Sequence, residues 1–125
     1  MMQGHVNQQC EAVISVAVQG GDKIKSINAT IDTGFNGFLT LPIAIITELG
    51  LSWNYRDRAA LGDGSETLFD VYKVEVIWNG EYRELEVNAV KTEPLLGMRM
   101  LKGYRLQADT IEGSWVTIEI LPNVS

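Results

Sequence analysis

The sequence predicts a mostly β domain with one or two short helices. Apolar and polar residues alternate in several short runs, which is typical of strands with one buried face. Turn sequences that contain glycine separate these runs, and Asn79-Gly80 is a preferred two-residue turn of a β-hairpin. Apolar residues recur at helical spacing in one short segment, residues 42–49. We therefore expect a series of hairpins packed around one core.

Size and charge narrow the function classes. The chain has 125 residues, 46% of them hydrophobic and 21% charged, which fits one globular domain. A net charge of −6 and ten scattered Lys and Arg residues argue against a nucleic-acid surface. No run approaches the roughly 20 apolar residues of a membrane span. We expect neither nucleic acid nor a membrane as a partner.

The single cysteine, Cys10, bears on compartment and on metal binding. It cannot form an internal disulfide, and the first nine residues lack the apolar stretch of a signal peptide. We infer a reducing cytoplasm. The only histidine, His5, does not complete a zinc site with Cys10. A catalytic Cys10 would need a base, and His5 lies on a polar segment that we expect to be too loosely ordered to supply one. We expect no metal and no cofactor.

The first part of the chain predicts a tail followed by a hairpin. Residues 1–10 are mostly polar and are assigned to a flexible N-terminal tail, with a late-ordering edge strand as the alternative, which leaves 11–125 as the single domain. Residues 13–18 and 24–31 alternate in the way that strands do, and a turn with two glycines separates them. The second arm of this hairpin leads directly into Asp32.

The tripeptide Asp32-Thr33-Gly34 is the candidate site. Gly34 lets the backbone bend sharply after a strand, and Thr33 can hydrogen-bond a neighbouring backbone group to hold that bend. Apolar residues follow, and we expect Phe38 and Leu39 to shield the carboxylate from water, as catalytic acids often are. The alternative is that the tripeptide is an ordinary turn.

Two more elements are predicted in the middle of the chain. Residues 42–49 have helical apolar spacing, with a proline at the start and Gly50 at the end. Gly62-Asp63-Gly64 is a polar tip between two extended runs, which favours a hairpin. This hairpin is either a simple connection or part of a binding site.

The second half predicts two further hairpins. Runs 71–78 and 82–90 meet at Asn79-Gly80, and their glutamates alternate with apolar residues, so one face of this pair is expected to be solvated. Runs 104–110 and 115–121 form the last hairpin. Asp109-Thr110 has no glycine after it, so a second copy of the candidate site is absent from the sequence.

One more segment lies between these hairpins. Leu95-Leu96-Gly97 combines two apolar residues with a glycine that permits close backbone approach, and a short helix is expected at about residues 98–102.

The order of these pieces resembles the retropepsin-like aspartic proteases (clan AA, retroviral type), in their single-domain prokaryotic form. A hairpin runs into Asp32-Thr33-Gly34, and a glycine-bearing hairpin, Leu95-Leu96-Gly97 and a short helix follow in that order. The similarity covers residues 11–121. It implies a closed acid-protease barrel with one lobe per chain, and an aspartic endopeptidase active on extended peptides as a homodimer.

The resemblance also implies roles for individual residues. Asp32 from each of two subunits would activate a water for peptide hydrolysis, Thr33 would form interlocking hydrogen bonds across the dimer axis, and Gly34 would provide the bend. The remaining implied residues are the flap that covers substrate, Gly62, Asp63 and Gly64, and the loop beneath the site, Leu95, Leu96 and Gly97.

Three positions depart from the pattern of the family. Relatives usually have Ala or Ser where this chain has Phe35, and retroviral members commonly pair an acid with an arginine where this chain has Asn36 and Met98. Because both ion-pair partners are absent, no charge is orphaned. Arg99, one position later, could partly substitute for the missing arginine. These departures leave open a non-catalytic peptide-binding module or a dimerisation module of the same fold.

Overall fold

The computed structural model describes residues 1–122, so the last three residues of the predicted domain 11–125 lie outside it. Within the described residues the chain forms ten strands and two short helices. The elements are β1 Met2–Val6, β2 Ala12–Gly20, β3 Lys23–Ile31, β4 Leu39–Pro42, α1 Ile43–Leu49, β5 Ser52–Ala60, β6 Glu66–Trp78, β7 Glu81–Val90, β8 Leu95–Leu96, α2 Met98–Leu101, β9 Tyr104–Ala108 and β10 Trp115–Ile120.

Six strands close into a barrel. Their order around it is β2, β3, β8, β4, β7 and β6, and pairing of β6 with β2 completes the ring through Val76 opposite Val18. The strands on either side of Asp32 both pair with the Leu95-Leu96 segment, β3 in parallel and β4 antiparallel, and β4 also pairs in parallel with β7. The expectation of a mostly β closed barrel with two short helices in one lobe is confirmed.

The core fills the inside of this barrel with alternate side chains from each strand. Val16 and Val18 of β2, for example, are almost fully buried, whereas Ser15 between the neighbouring apolar positions is exposed. Trp78 at the end of β6 is 1% exposed, and its ring packs edge-on against Tyr104 at 5.7 Å between centroids. This packing joins the barrel to the strands at the end of the chain.

The predicted hairpins form with small changes of boundary. Asn79 and Gly80 both adopt positive φ angles, 51° and 82°, as the tight turn between β6 and β7 requires. Strand β6 begins earlier than predicted, at Glu66, because its first half pairs with β5 before its second half enters the barrel. The result is one strand of 13 residues shared by the barrel and by the glycine-bearing hairpin.

Both helices form at the predicted places in the sequence. Helix α1 ends at Gly50, whose left-handed conformation (φ 62°) directs its N–H to the carbonyls of Ile46 and Thr47. Pro42 is the residue that precedes the helix and ends β4. Helix α2 is a single turn directly after Gly97.

The prediction that residues 1–10 are a flexible tail is wrong for Met2–Val6. This segment is β1, an inner strand between β10 and β2, and Val6 is 1% exposed. Gly4 permits the pairing, because a side chain there would place its Cβ 2.0 Å from the carbonyl oxygen of Val13. Polar composition misleads here because the strand is held mainly by backbone hydrogen bonds, which side-chain hydropathy does not report.

Two observations on residues 1–122 concern membrane-spanning helices and metal-binding groups of side chains. No helix in this part of the chain is long and apolar enough to cross a membrane. Across the same residues, no three His, Cys, Asp or Glu side chains lie together in a group able to hold a metal ion.

Candidate active site

Asp32 lies at the first residue after β3, where its backbone and side chain are both fixed. Its N–H donates to the carbonyl of Leu96 (2.9 Å), and its own carbonyl accepts from the N–H of Phe35 (3.1 Å). The carboxylate Oδ1 accepts from the N–H of Gly34 (2.9 Å), while Oδ2 has no hydrogen-bond partner in residues 1–122. The residue is half-buried. One oxygen is therefore oriented and the other is available.

Gly34 and Thr33 complete the bend. A Cβ at position 34 would lie 3.2 Å from Oδ1 of Asp32, so a larger residue would crowd the carboxylate that the Gly34 N–H orients. Thr33 is exposed. It borders a cavity of about 400 Å³ that continues to Met98, Tyr104 and Leu106.

The loop after Asp32 is clamped to the segment that begins α2. Three consecutive N–H groups make the contact: Gly97 donates to Phe38 (2.9 Å), Met98 to Phe35 (2.8 Å) and Arg99 to Gly37 (3.2 Å). A Cβ on Gly97 would lie 2.2 Å from the carbonyl oxygen of Gly37, so only glycine fits at this crossing. Asp32 is thus positioned by backbone contacts from a segment more than 60 residues away.

Phe35, which departs from the small residue of the family, fits because two glycines make room for its ring. The ring atoms lie 2.5 Å from an ideal Cβ on Gly37 and 2.6 Å from one on Gly97. The phenyl ring therefore fills the gap between the two crossing segments. Apolar packing joins the segments at the place where retroviral relatives are expected to use an ion pair.

Arg99 does not restore that ion pair. Its guanidinium lies 5.9 Å from the centroid of the Phe38 ring, a cation–π contact, and none of the ion pairs found in residues 1–122 includes it. Asn36 and Met98 are both exposed. The suggestion that Arg99 substitutes for the missing arginine is therefore not supported by its contacts.

Leu95 and Leu96 lie beside the bend, and a residue that the sequence analysis missed helps to hold them. Leu96 is fully buried and Leu95 is half-buried. Thr40, only 4% exposed, accepts the N–H of Leu95 on its Oγ1 at 2.8 Å. A lone hydroxyl within the apolar run Phe38–Leu41 was the available signal, because a buried polar group needs a partner.

Gly62, Asp63 and Gly64 form the tip of the hairpin between β5 and β6. Ser65 donates its N–H (2.9 Å) and its hydroxyl (2.5 Å) to Oδ1 of Asp63, and these hydrogen bonds hold the pKa of Asp63 below its usual value. The ionised carboxylate thus supports the turn above its unfolded-state pKa, and this support is lost as the pH falls through the folded-state value. Within residues 1–122 no hydrogen bond joins this tip to the Asp32 loop.

The base of this hairpin is braced by polar side chains. Asp70 accepts from Arg56 Nε (3.0 Å) and Trp53 Nε1 (3.2 Å), and the arginine, followed by the indole, holds the pKa of Asp70 below its usual value. Tyr55 donates its hydroxyl to Glu86 (2.7 Å), which raises the pKa of the phenol. These side-chain hydrogen bonds hold the base of the β5–β6 hairpin in place, whereas its tip is flanked by glycines, so the tip can move while the base stays fixed.

Two solved structures share this architecture, although no family model matches the chain and the search of curated proteins finds no match. A retropepsin-like aspartic protease from Rickettsia conorii aligns with a TM-score of 0.61 and 17% identity, covering 92% of this chain and 87% of the other. EIAV protease, complexed with the inhibitor HBY-793, aligns with a TM-score of 0.57 and 17% identity over 77% and 89%. The chain therefore has the retropepsin-like fold.

The crossing at Gly97 predicts a specific loss of stability. Gly97→Ala would push its Cβ against the Gly37 carbonyl and the Phe35 ring, so we expect a loss of about 3 kcal/mol or more in the free energy of unfolding. Gly62→Ala is the matched control, because nothing lies within 4 Å of its Cβ position. Urea denaturation of both variants measures the difference. Equal stabilities for the two variants would contradict the close approach.

Proposed function

We propose that this protein is an aspartic endopeptidase that acts as a homodimer on extended peptide segments. The observation that carries the proposal is the fixed Asp32 carboxylate, which Leu96 and Gly34 hold at a strand end. The fold around it is that of EIAV protease and of a protein named as a retropepsin-like aspartic protease. A turn with no chemical role does not need a clamp of three backbone hydrogen bonds beside its carboxylate.

The chemistry needs two carboxylates that share a proton, and each chain supplies one. Two like charges a few ångströms apart cannot both ionise, so such a pair holds an acid and a base together. A two-fold axis that passes beside Asp32 would bring it next to its own copy, since an isologous interface pairs each patch with itself. The active species is therefore a C2 homodimer.

The surface around Thr33 suits that association. Met98 is 46% exposed, and Tyr104 and Leu106 are half-buried along the cavity that Thr33 borders. Within residues 1–122, strand β9 lies at the edge of its sheet and pairs only with β10, so one side of its backbone is available to a partner. In the dimer, Thr33 would exchange hydrogen bonds with the other subunit.

Hydrolysis then proceeds by acid–base catalysis. The ionised Asp32 removes a proton from a water whose oxygen bonds to the scissile carbonyl carbon, and the protonated Asp32 of the second subunit gives its proton to the carbonyl oxygen. The resulting diol collapses as its C–N bond breaks. The protonated Asp32 gives its proton to the departing nitrogen, while the ionised Asp32 takes a proton from a diol hydroxyl as the C=O bond forms again. The products are an acid and an amine, and the pair again shares one proton.

The flap tip at Gly62-Asp63-Gly64 would close over the substrate. Its exposed backbone groups can hydrogen-bond an extended peptide, which is a form of recognition that tolerates many side chains. We place this function in the cytoplasm because the chain has a single cysteine. The second candidate, a peptide-binding or dimerisation module without catalysis, is favoured by Asn36 and Met98, which leave the interface without the family's ion pair.

The Asp32→Asn variant separates these two functions. The amide keeps the size of the side chain but cannot share a proton or activate water, so we expect peptide hydrolysis to fall by at least about 1,000-fold. The wild type should work best at acidic pH, because the pair must retain one proton and loses it as the pH rises. Cleavage of a peptide library across a pH series, with analytical ultracentrifugation of both proteins, measures these effects.

Asp109→Asn is the matched control for this experiment, since it makes the same change in the second Asp-Thr sequence and should retain full activity. Hydrolysis by Asp32→Asn at the wild-type rate would disprove the proteolytic function. A wild type that binds peptides but cleaves none at any pH would establish the binding module instead.

The flap generates a prediction about turnover. Gly62→Val adds a stiff side chain at a position with no neighbour within 4 Å and no positive φ, so the fold should be retained while closure slows. We expect kcat to fall about tenfold with a change of less than about 1 kcal/mol in unfolding free energy. Gly64 is less suitable, since its φ of 86° disfavours valine. Unchanged kcat and KM would mean that the β5–β6 hairpin only connects two strands and does not close over the substrate.

A further inference from the structure

A second cavity beside the Asp32 loop is lined by positive charge. Its volume is about 760 Å³, and it contains three cations but no carboxylate. The lining residues are Asn36, Phe38, Arg83, Met98, Arg99 and Lys102. None of the ion pairs or side-chain hydrogen bonds formed within residues 1–122 involves Arg83, Arg99 or Lys102.

Arg83 is the most informative of these three. It occupies the inward row of β7 with Leu85 and Val87, and its cross-strand partner is Val76, which is fully buried. An arginine in such a row usually meets a carboxylate, because withdrawing a charge from water without a partner is unfavourable. Arg83 is half-buried, and the cavity that it lines contains Arg99 and Lys102 but no carboxylate.

The other two cations come from the end of the clamp. Arg99 and Lys102 lie three residues apart on and just after α2, and Phe38 holds the Arg99 guanidinium over its ring at 5.9 Å. Three of the ten Lys and Arg residues of a chain with net charge −6 thus line one cavity. Like charges gathered together repel each other, so the fold alone gains nothing from this arrangement.

The cavity is close to the proposed catalytic centre. Asn36 follows Asp32 by four residues, so their Cα atoms are separated by at most about 14 Å of extended chain. A bound peptide in extended form advances about 3.3 Å per residue. A side chain within about four residues of the scissile bond can therefore reach the cavity.

We propose that this cavity binds an acidic side chain of the substrate, so that the enzyme prefers Glu or Asp within about four residues of the cleaved bond. That the bound peptide is a substrate rests on the proposed proteolytic function. The binding of a carboxylate in this cavity does not depend on that function. The protein as a whole repels acidic peptides, so the preference has to arise locally, from Arg83, Arg99 and Lys102.

Binding to the inactive Asp32→Asn protein tests the site without cleavage. The probes are fluorescent decapeptide libraries that are identical except for Glu or Gln at one position, scanned along the peptide. We expect Glu to bind about fivefold tighter than Gln at one position or a few neighbouring ones, which is the scale of a partly exposed ion pair. This preference should decrease as salt rises from about 50 to 500 mM.

Charge-removing variants identify the cavity as the source. Arg83→Gln and Lys102→Gln should each abolish the Glu preference, whereas Lys23→Gln, which removes an exposed lysine outside the cavity, should keep it. Lys102 is exposed, so its variant remains informative if Arg83→Gln fails to fold. No preference for Glu at any position, or a preference that survives Lys102→Gln, overturns the inference.

Cleavage by the wild type distinguishes this inference from the proposed function. A Glu preference in binding together with no hydrolysis supports the acidic site and removes the protease. Hydrolysis of Glu and Gln peptides at equal rates supports the protease and removes the acidic site.

Discussion

The contact on which the rest of the site depends is the crossing of two backbone segments at Gly37 and Gly97. The Cβ that glycine lacks would lie 2.2 Å from the Gly37 carbonyl, and three successive N–H groups bond across this crossing. It joins the loop after Asp32 to α2, and through Leu96 it also fixes the backbone of Asp32. The carboxylate is therefore oriented by the closure of the barrel rather than by its sequence neighbours alone.

Apolar packing reinforces this crossing where an ion pair was to be expected from the resemblance. The ring of Phe35 occupies the space beside both glycines. The contact between the two segments therefore needs no ion pair, and Asn36 and Met98, at the positions where the ion pair was expected, carry no charge. This arrangement releases nearby cations from structural pairing. Arg99 is one of them, and it faces the basic cavity with Arg83. Because apolar packing holds the loop after Asp32, Arg99 is free to line the cavity for which we propose a preference for acidic side chains.

The sequence predicted what local patterns encode and missed what pairing between distant strands decides. The hairpin predicted from Asn79-Gly80 and the helix predicted between Pro42 and Gly50 both formed. Turn and cap residues determine the local structure within a few positions, so the sequence alone is sufficient to predict them. The strand Met2–Val6 was missed because its partners lie in β2 and β10. The partner of Thr40 and the inward position of Arg83 were likewise not predictable, since each depends on which strand lies beside it.

The central claim is that one active site contains Asp32 from two chains, and mixing tests it most directly. Wild type and Asp32→Asn are combined in equal amounts at constant total concentration and left until subunits exchange. If both aspartates are required, only wild-type homodimers cleave, and activity should be about a quarter of that of pure wild type. Activity of about one half would mean that each chain acts independently, which would contradict the account.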